Sequence, residues 1–212
     1  MVVESGKRRG RGRPKEPIPR STFLRAAQGI FADAGFQGAS MSAIAREAGV
    51  SKATLFHHFE TKEDLYIEVL TAIASDLGRL VHEAVEDRGN FHERLDRLAE
   101  AIIRYLGGTP RAARLLLREF VDAGPFMNSA AALSVATVLD DVVALYQDGQ
   151  DAGLVVPQDL RHLAATSVAL HLHWFAATPV TRHLLGGSPF TPEAIEDRIR
   201  EVKAQARRLC TL

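Results

Sequence analysis

Apolar residues recur every three to four positions along most of this 212-residue chain, and proline and glycine interrupt the pattern at intervals. This spacing places apolar side chains along one face of an α-helix, whereas a half-buried strand would show a sustained alternation that the sequence lacks. Few runs of β-branched residues occur. The sequence therefore predicts an all-α fold of about nine helices.

Local signals predict where these helices begin and end. For the first three helices the predicted caps and ends are Ser21, Gly35, Ser40 and Gly49. Two longer helices are expected to start at the capping-box pairs Thr61 with Asp64 and Asn90 with Glu93. Later helices are expected over about 110–121, 128–152, 158–177 and 192–209.

Composition excludes several classes of protein. The single cysteine, Cys210, rules out an intramolecular disulfide framework and a multi-cysteine metal site, and no metal or cofactor site is predicted. No uninterrupted apolar run of about 18 residues and no secretory signal occur, so we expect no membrane partner and a cytoplasmic location. The hydrolase, P-loop and zinc-enzyme motifs are also missing, so we do not expect an enzyme.

The N-terminal segment carries a local excess of positive charge. Residues 7–15 read KRRGRGRPK, and up to Arg20 seven lysines and arginines face two acidic residues, giving +5 in a chain with zero formal charge. Few apolar residues are present to offset the entropy of ordering, so residues 1–20 are predicted to be a disordered basic arm. Such an arm serves either to bind a polyanion or only to keep the chain soluble.

Two short helices around Gly49 have the outline of a helix-turn-helix, in which the second helix enters the major groove of DNA. Lys52 and Lys62 each fall in the first turn of a helix, where the helix dipole disfavours a cation. An external phosphate at both helix ends would explain this placement. His57 and His58 either add hydrogen-bond donors for DNA or form a solvated face. Because adjacent side chains on a helix diverge by about 100°, these two histidines cannot bind one metal ion together.

The stretch MSAIAREAGVSKATLFHHFETKEDLYIEVL, residues 41–70, resembles the DNA-binding segment of the TetR family of transcriptional repressors. The resemblance implies a three-helix DNA-binding domain over residues 21–66. It also implies DNA contacts from Ser42, Lys52, Ala53, Thr54, Phe56, His57, His58 and Lys62. The family usually has tyrosine where Phe56 stands, so one phosphate hydrogen bond of about 0.5–1.5 kcal/mol is expected to be missing here.

The Arg-Gly-Arg-Pro core of the arm resembles an AT-hook, a segment that fits the narrow minor groove of A·T-rich DNA. Arg11 and Arg13 are the arginines of this core. We therefore expect the arm to lie in the minor groove beside the site read by Lys52 and Thr54, as homeodomain arms do.

Residues 67–212 have a different charge balance, with fifteen basic and nineteen acidic residues, so this part is not expected to lie along DNA. The resemblance implies a larger helical domain for effector binding and dimerisation. Candidate residues for an effector pocket are Tyr105, Phe120, Phe126, Met127, Tyr146, His171, Trp174 and Phe175. Each of them is also a candidate for the ordinary core.

The last predicted helix carries apolar residues in steps of four and three, and the helix before 177 is rich in small and apolar residues. The expected dimer-interface residues are Ala165, Ala169, Leu172, Ile195, Ile199, Val202 and Ala206. The alternative is that the final stripe packs inside its own subunit.

These features together predict a ligand-responsive repressor that binds a palindromic operator as a homodimer and is released by an unknown small molecule. Two alternatives remain at this point. One is a sequence-tolerant architectural DNA-binding protein that relies on the basic arm, and the other is a helical enzyme.

Overall fold

The computed structural model describes residues 18–86 and 88–210, and these contain ten α-helices and no β-strand. The helices are α1 (Arg20–Gly38), α2 (Met41–Glu47), α3 (Lys52–His58), α4 (Lys62–Glu86), α5 (Phe91–Gly108), α6 (Pro110–Asp122), α7 (Leu133–Asp151), α8 (Leu160–Ala176), α9 (Thr178–Leu185) and α10 (Pro192–Cys210). A short 3-10 helix, Ala130–Ala132, precedes α7. The predicted all-α fold is confirmed.

Side-chain caps fix the starts of several helices where the sequence predicts them. The side chain of Asn90 accepts from the backbone of Glu93, and the carboxylate of Glu93 accepts from the backbone of Asn90, which completes the capping box of α5. Thr61 and Asp64 make the same reciprocal pair at the start of α4. Each box satisfies N–H groups that have no partner within the helix.

The first three helices pack on each other and on the beginning of α4 around one apolar core. Phe23, Phe31, Ile44, Leu55 and Leu65 are fully buried there. The chain bends near the end of α1, where Gly35 has φ = 72°, a conformation that favours glycine. This core holds α2 and α3 at a fixed angle to α1.

The remaining helices form a bundle around α4, α5 and α8. Helix α4 packs against α5 and α7, α6 packs against α8, and α10 packs on α5. Helix α6 also contacts α1, so the bundle and the first helices are joined by α4 and α6 together.

Two expectations about the elements are wrong. The sequence does not predict helix α9 as a separate helix: its N-terminus has no side-chain cap, although Pro179 lies in its first turn and Gly186 ends it with φ = 65°. Helix α1 begins at Arg20 rather than after a Ser21 cap. Arg20 consequently belongs to the folded region: its guanidinium pairs with Glu68 and lies 4.3 Å from the ring centroid of Phe59.

One segment of the described residues, Ala130–Asp151, is long and apolar enough by length and composition to cross a membrane. In the structure it packs against α4 and α8. It also carries adjacent aspartates, Asp140 and Asp141, in its middle, and carboxylates are costly at the centre of a bilayer. Within the structure 17% of an 18-residue stretch of this segment is buried, and the large buried side chains of the segment are Val142, Leu145 and Tyr146.

Candidate functional site

Helix α3 presents a polar face on a short, well-anchored element. The hydroxyl of Ser51 caps it, accepting from the backbone N–H of Thr54 at 3.0 Å and contacting the Thr54 hydroxyl at 2.8 Å. Leu55 is fully buried on the inner side. Because the helix is held by its inner residues and its cap, its outer positions are free to face a ligand.

Most of the residues predicted to contact DNA lie together on this outer surface. Lys52, Ala53, Phe56 and His57 are exposed, and Ser42 is exposed on α2; Thr54 is half-buried. The ammonium of Lys52 lies 5.5 Å from the ring centroid of Phe56, which is 41% exposed. The phenylalanine that replaces the usual tyrosine thus supports a cation at the surface.

Lys62 does not stand free as the sequence led us to expect. Its ammonium donates hydrogen bonds to the carbonyls of Phe36 at 2.8 Å and Ala39 at 3.2 Å, and it lies 4.4 Å from the Phe36 ring centroid. The carbonyls at the end of α1 therefore stabilise the cation that the start of α4 disfavours. The ammonium of Lys62 thus has a structural role, and its expected phosphate contact stays a prediction.

His58 is also turned toward the protein. Its ring centroid lies 4.6 Å from that of Phe23, and its backbone carbonyl accepts from Arg20 at 3.3 Å. His57, by contrast, is exposed. Sequence reasoning could not separate these neighbours, because the helical register that turns one inward depends on the packing of α1. Arg11 and Arg13 of the AT-hook-like segment lie outside the described residues.

A cavity of about 670 Å³ lies within the helical bundle. Its wall is formed almost entirely by apolar side chains of α4, α5, α6, α7, α8 and α10. It extends to Leu170 of α8 and Gln205 of α10, which are exposed, so it reaches the surface between these two helices. The size and the apolar wall are typical of a small-molecule site.

Four of the eight predicted pocket residues line this cavity: Phe120, Met127, Tyr146 and His171. The other four are placed elsewhere. Phe126 and Phe175 are fully buried in the core, Trp174 covers the guanidinium of Arg198 at 4.1 Å, and the hydroxyl of Tyr105 lies 3.4 Å from Asp76. Aromatic residues at helical spacing fill the core here as often as they line the cavity.

The predicted dimer residues are divided in the same way. Leu172, Ile199 and Val202 are buried within the subunit, Ile195 packs on the core, and Ala206 is half-buried. Only Ala165 and Ala169 are exposed. For the buried members the expectation is corrected: the stripe of the last helix packs against α5 inside its own subunit.

Sequence reasoning missed one residue of the cavity wall, Arg198 of α10. It is only 9% exposed, and its Nε has no hydrogen-bond partner among the described residues. The buried Nδ1 of His171, across the same cavity wall, also has no partner there. Desolvation lowers the pKa of His171 to about 4, and the nearby charge of Arg198 acts in the same direction. The imidazole is therefore neutral at pH 7.

The residues that the structure describes contain no group of three or more histidine, cysteine or acidic side chains that could hold a metal ion.

Helix α3 is capped and exposed, and it lies on a core shared with α1 and α2. Helix α4 connects this unit to the bundle that holds the cavity. The arrangement defines the chain as a helix-turn-helix DNA-binding regulator. Comparison with known proteins specifies which kind. Residues 23–69 match the model of the bacterial regulatory proteins of the tetR family, and residues 92–204 match a tetracycline repressor-like C-terminal domain. The chain belongs to the TetR family of transcriptional regulators.

Individual relatives agree with this assignment. The transcriptional activator FasR of Mycolicibacterium smegmatis is 30% identical over 149 residues, which are 70% of this chain and 67% of FasR. Among solved structures, the TetR family regulator PfmR of Thermus thermophilus is similar with a TM-score of 0.70 and 21% identity, covering 88% of this chain and 97% of PfmR. AibR, solved with isovaleryl coenzyme A and operator DNA, has a TM-score of 0.70 and 18% identity, covering 87% of this chain and 96% of AibR.

The matched family and these relatives are transcriptional regulators, so this chain is a regulator and not an enzyme.

The half-buried imidazole of His171, whose Nδ1 is buried, predicts a pH-dependent stability. Its folded-state pKa of about 4 lies below the ordinary value near 6.5, so the unfolded chain takes up the proton first as the pH falls. The stability that the neutral imidazole contributes is present above about pH 6.5 and is lost as the pH falls toward 4. Between about pH 7 and pH 5 we expect the loss to be roughly 1–2 kcal/mol.

Urea unfolding of the wild type and of His171→Gln at both pH values measures this loss. The variant should lose less stability on acidification than the wild type by that amount. His82→Gln, which removes an exposed histidine of α4, should keep the wild-type difference. Equal pH dependence in the wild type and His171→Gln would contradict the assignment of a neutral imidazole with a lowered pKa.

Proposed function

We propose that this protein represses transcription by binding an inverted-repeat operator as a homodimer, in the cytoplasm, and that a small molecule in the bundle cavity releases it. The observation that carries the proposal is the continuity of α4, which starts beside the recognition helix α3 and forms part of the cavity wall. In this proposal residues 21–66 bind DNA, residues 67–212 bind the effector and the second subunit, and the arm of residues 1–20 assists DNA binding.

The surface of α3 supports the DNA-binding part. Lys52 forms no ion pair with any carboxylate of the described residues, and it occupies the first turn of α3, where the helix dipole favours an anion. A phosphate placed there would meet both the ammonium and the free backbone N–H groups of the helix end. Thr54 and Ala53 beside it are short enough to let α3 approach base edges.

Exposed apolar residues support the dimer. On α9, Val180, Leu184 and Leu185 are exposed, Leu184 at 72%, and Leu170 of α8 is exposed at 48%. Together with Ala165 and Ala169 of α8, they offer an apolar surface that a second copy can cover. One short recognition helix reads few base pairs, whereas two of them about 34 Å apart read an inverted repeat.

The effector part rests on the cavity and on one similar structure. AibR, a protein of similar fold, was solved with both isovaleryl coenzyme A and operator DNA. FasR is named an activator, so expression of a reporter gene with and without the protein decides between repression, which we propose, and activation.

A buried carboxylate connects the cavity to the DNA-binding helices. Glu119 of α6 is 1% exposed; it accepts a hydrogen bond from the hydroxyl of Tyr66 at 2.8 Å and from the backbone N–H of Met127 at 2.7 Å. Met127 and the neighbouring Phe120 line the cavity. A molecule that displaces Met127 or Phe120 would disturb Glu119 and, through it, Tyr66.

Tyr66 continues the path toward α3. Its ring centroid lies 4.8 Å from that of Phe31 and 4.9 Å from that of Phe36, both in α1. The ammonium of Lys62 in turn lies over the ring of Phe36 and donates a hydrogen bond to the Phe36 carbonyl. A shift of α6 can therefore alter the angle between α1 and α4, which sets the spacing of two recognition helices. A change in operator affinity of about 10²–10³ would require about 3–4 kcal/mol of differential ligand binding.

Selection of bound fragments from a pool of genomic DNA at near-physiological salt tests the operator. We expect the wild type to enrich one inverted repeat and the double variant Lys52→Ala, Thr54→Ala to lose it, because base contacts are worth about 1–3 kcal/mol each. Arg79→Ala, which removes an exposed cation of α4 paired with Glu83, is the matched control and should enrich the same repeat.

Recovery of A·T-rich DNA without a repeat by both the wild type and the double variant would contradict operator reading. It would favour the architectural alternative, in which the basic arm provides the binding.

The arm is tested by the salt dependence of operator binding. Deleting residues 1–17 removes six of the lysines and arginines and keeps Arg20, which the ion pair with Glu68 makes part of the fold. Since each neutralised phosphate contributes about −0.9 to the slope of log affinity against log salt concentration, the slope should flatten by several units. Fluorescence anisotropy over a salt series measures it. Equal slopes for the wild type and the deletion variant would contradict a role in DNA binding and would favour a solubilising role for the arm.

The Tyr66–Glu119 link is tested by a double-mutant cycle with Tyr66→Phe and Glu119→Gln. Neither side chain belongs to α3, so a merely structural link changes only the unfolding free energy, by about 1–3 kcal/mol. A communicating link also changes operator affinity several-fold, non-additively in the cycle. Tyr105→Phe, which removes the long contact to Asp76 of α4, is the control and should leave operator affinity at the wild-type value. Strictly additive effects on operator affinity would contradict the link.

A further inference from the structure

Arg198 is an unusual residue for the place it occupies. A guanidinium stays charged at any physiological pH, and burying it without a counter-ion is costly unless a carboxylate or other anion pairs with it. No carboxylate of the described residues forms an ion pair with Arg198, and desolvation lowers its pKa. Arg200 and Arg207 of the same helix, by contrast, each pair with an aspartate.

The surroundings of Arg198 leave its donors open. The indole of Trp174 covers the face of the guanidinium, with the central carbon 4.1 Å from the ring centroid. Stacking of this kind does not use the N–H groups, which lie in the guanidinium plane. Of these, Nη2 has one long contact of 3.5 Å to the carbonyl of Leu170, and Nε has no partner among the described residues. The edge of the group thus keeps a buried donor, Nε, with no partner among the described residues, and a second donor, Nη2, with only this long contact.

Apart from the exposed His173 and Gln205, the rest of the cavity wall is apolar or already hydrogen-bonded. The hydroxyl of Tyr146 lies 2.8 Å from that of Ser167, and the Ser167 hydroxyl donates to the carbonyl of Leu163 at 2.9 Å. His171 is the other wall residue with a buried atom lacking a partner within the described ranges. Among the described residues of the cavity wall, the buried polar atoms without a partner therefore belong to His171 and Arg198, beside an apolar space.

We propose that the effector is an amphipathic anion, with an apolar chain in the cavity and a single carboxylate or phosphate headgroup bound at the edge of Arg198 beside His171. This inference rests on the proposed function and narrows the class of its ligand. The guanidinium binds the headgroup through in-plane N–H donors, the geometry in which arginine pairs with carboxylate and phosphate. A neutral His171 adds one donor or acceptor in whichever tautomer the headgroup selects.

Titration calorimetry with four probes tests the class: dodecanoate, dodecyl phosphate, and the uncharged dodecanol and methyl dodecanoate. We expect at least one of the two anions to bind the wild-type protein more tightly than both neutral probes, by about ten- to hundred-fold, since hydrogen bonds to charged groups carry that much discrimination. The preferred anion identifies the headgroup. Neutral probes that bind as tightly as the anions would overturn the proposal, and so would the absence of binding by all four probes.

Substitutions in α10 test whether Arg198 binds the headgroup. Arg198→Gln should weaken binding of the preferred anion by about ten- to hundred-fold and leave binding of the neutral probes within about two-fold. Arg200→Gln, which removes an exposed arginine of the same helix paired with Asp197, is the matched control and should bind like the wild type. If Arg198→Gln does not fold, Arg198→Lys keeps the charge and removes the planar donor edge, and it should still weaken the anion selectively.

Sedimentation of the same proteins separates a ligand site from a subunit contact. Arg198→Gln should keep the oligomeric state of the wild type. A variant that dissociates into single subunits while still binding the anion would overturn the proposal. It would indicate that Arg198 pairs with an acidic residue of a second copy. Operator selection tests the proposed function independently of the anion measurements. A protein that enriches an inverted repeat but binds no anion contradicts only the proposed ligand class.

Discussion

The carboxylate of Glu119 is buried where α4, α6 and the segment after α6 meet, and a buried carboxylate is tolerated only where donors surround it. One donor comes from Tyr66 of α4 and the other from the backbone of Met127. Gly124 passes so close that a Cβ there would clash with the carboxylate, which explains a glycine in this position. The need to satisfy one charge thus fixes the relative positions of two helices and a turn, and the cavity wall and the placement of α1 follow from that arrangement.

Helix α4 is held by this constraint, through Tyr66, at the same end as a second polar contact. Its first turn is attached to α1 through Lys62, whose ammonium satisfies two carbonyls, and its later turns pack on α5 and α7 beside the cavity. The C-terminal end of α4 is also held, because Arg94 of α5 donates to the carbonyls of Ala84 and Val85. The middle turns beside the cavity make mainly non-directional apolar contacts, so a ligand can displace the helix most easily there. Such a difference in rigidity is what a ligand-driven change in helix angle requires.

The sequence predicts well what depends on neighbouring residues. Capping boxes at Thr61 and Asn90, the helix-ending glycine at 153 and the exposed outer face of α3 involve residues a few positions apart, and their physics is contained in that spacing. It predicts poorly what depends on tertiary contacts. Lys62 looks like a phosphate ligand until α1 supplies the carbonyls, and Ile199 looks like an interface residue until α5 covers it. Arg198 gives no local signal at all, because only the fold shows that it is buried and that its Nε has no partner among the described residues.

The attachment of α3 has a consequence for how such a regulator can diverge. Seven residues held by a buried leucine and a serine cap form a unit whose outer positions support none of the packing beneath them. Exchange of Lys52, Ala53 or His57 therefore leaves the cavity untouched, and exchange of cavity residues leaves the outer face of α3 untouched. The preference for an operator sequence and the preference for an effector can therefore change independently. After a gene duplication, a few substitutions in α3 can place a new set of genes under the control of the same effector.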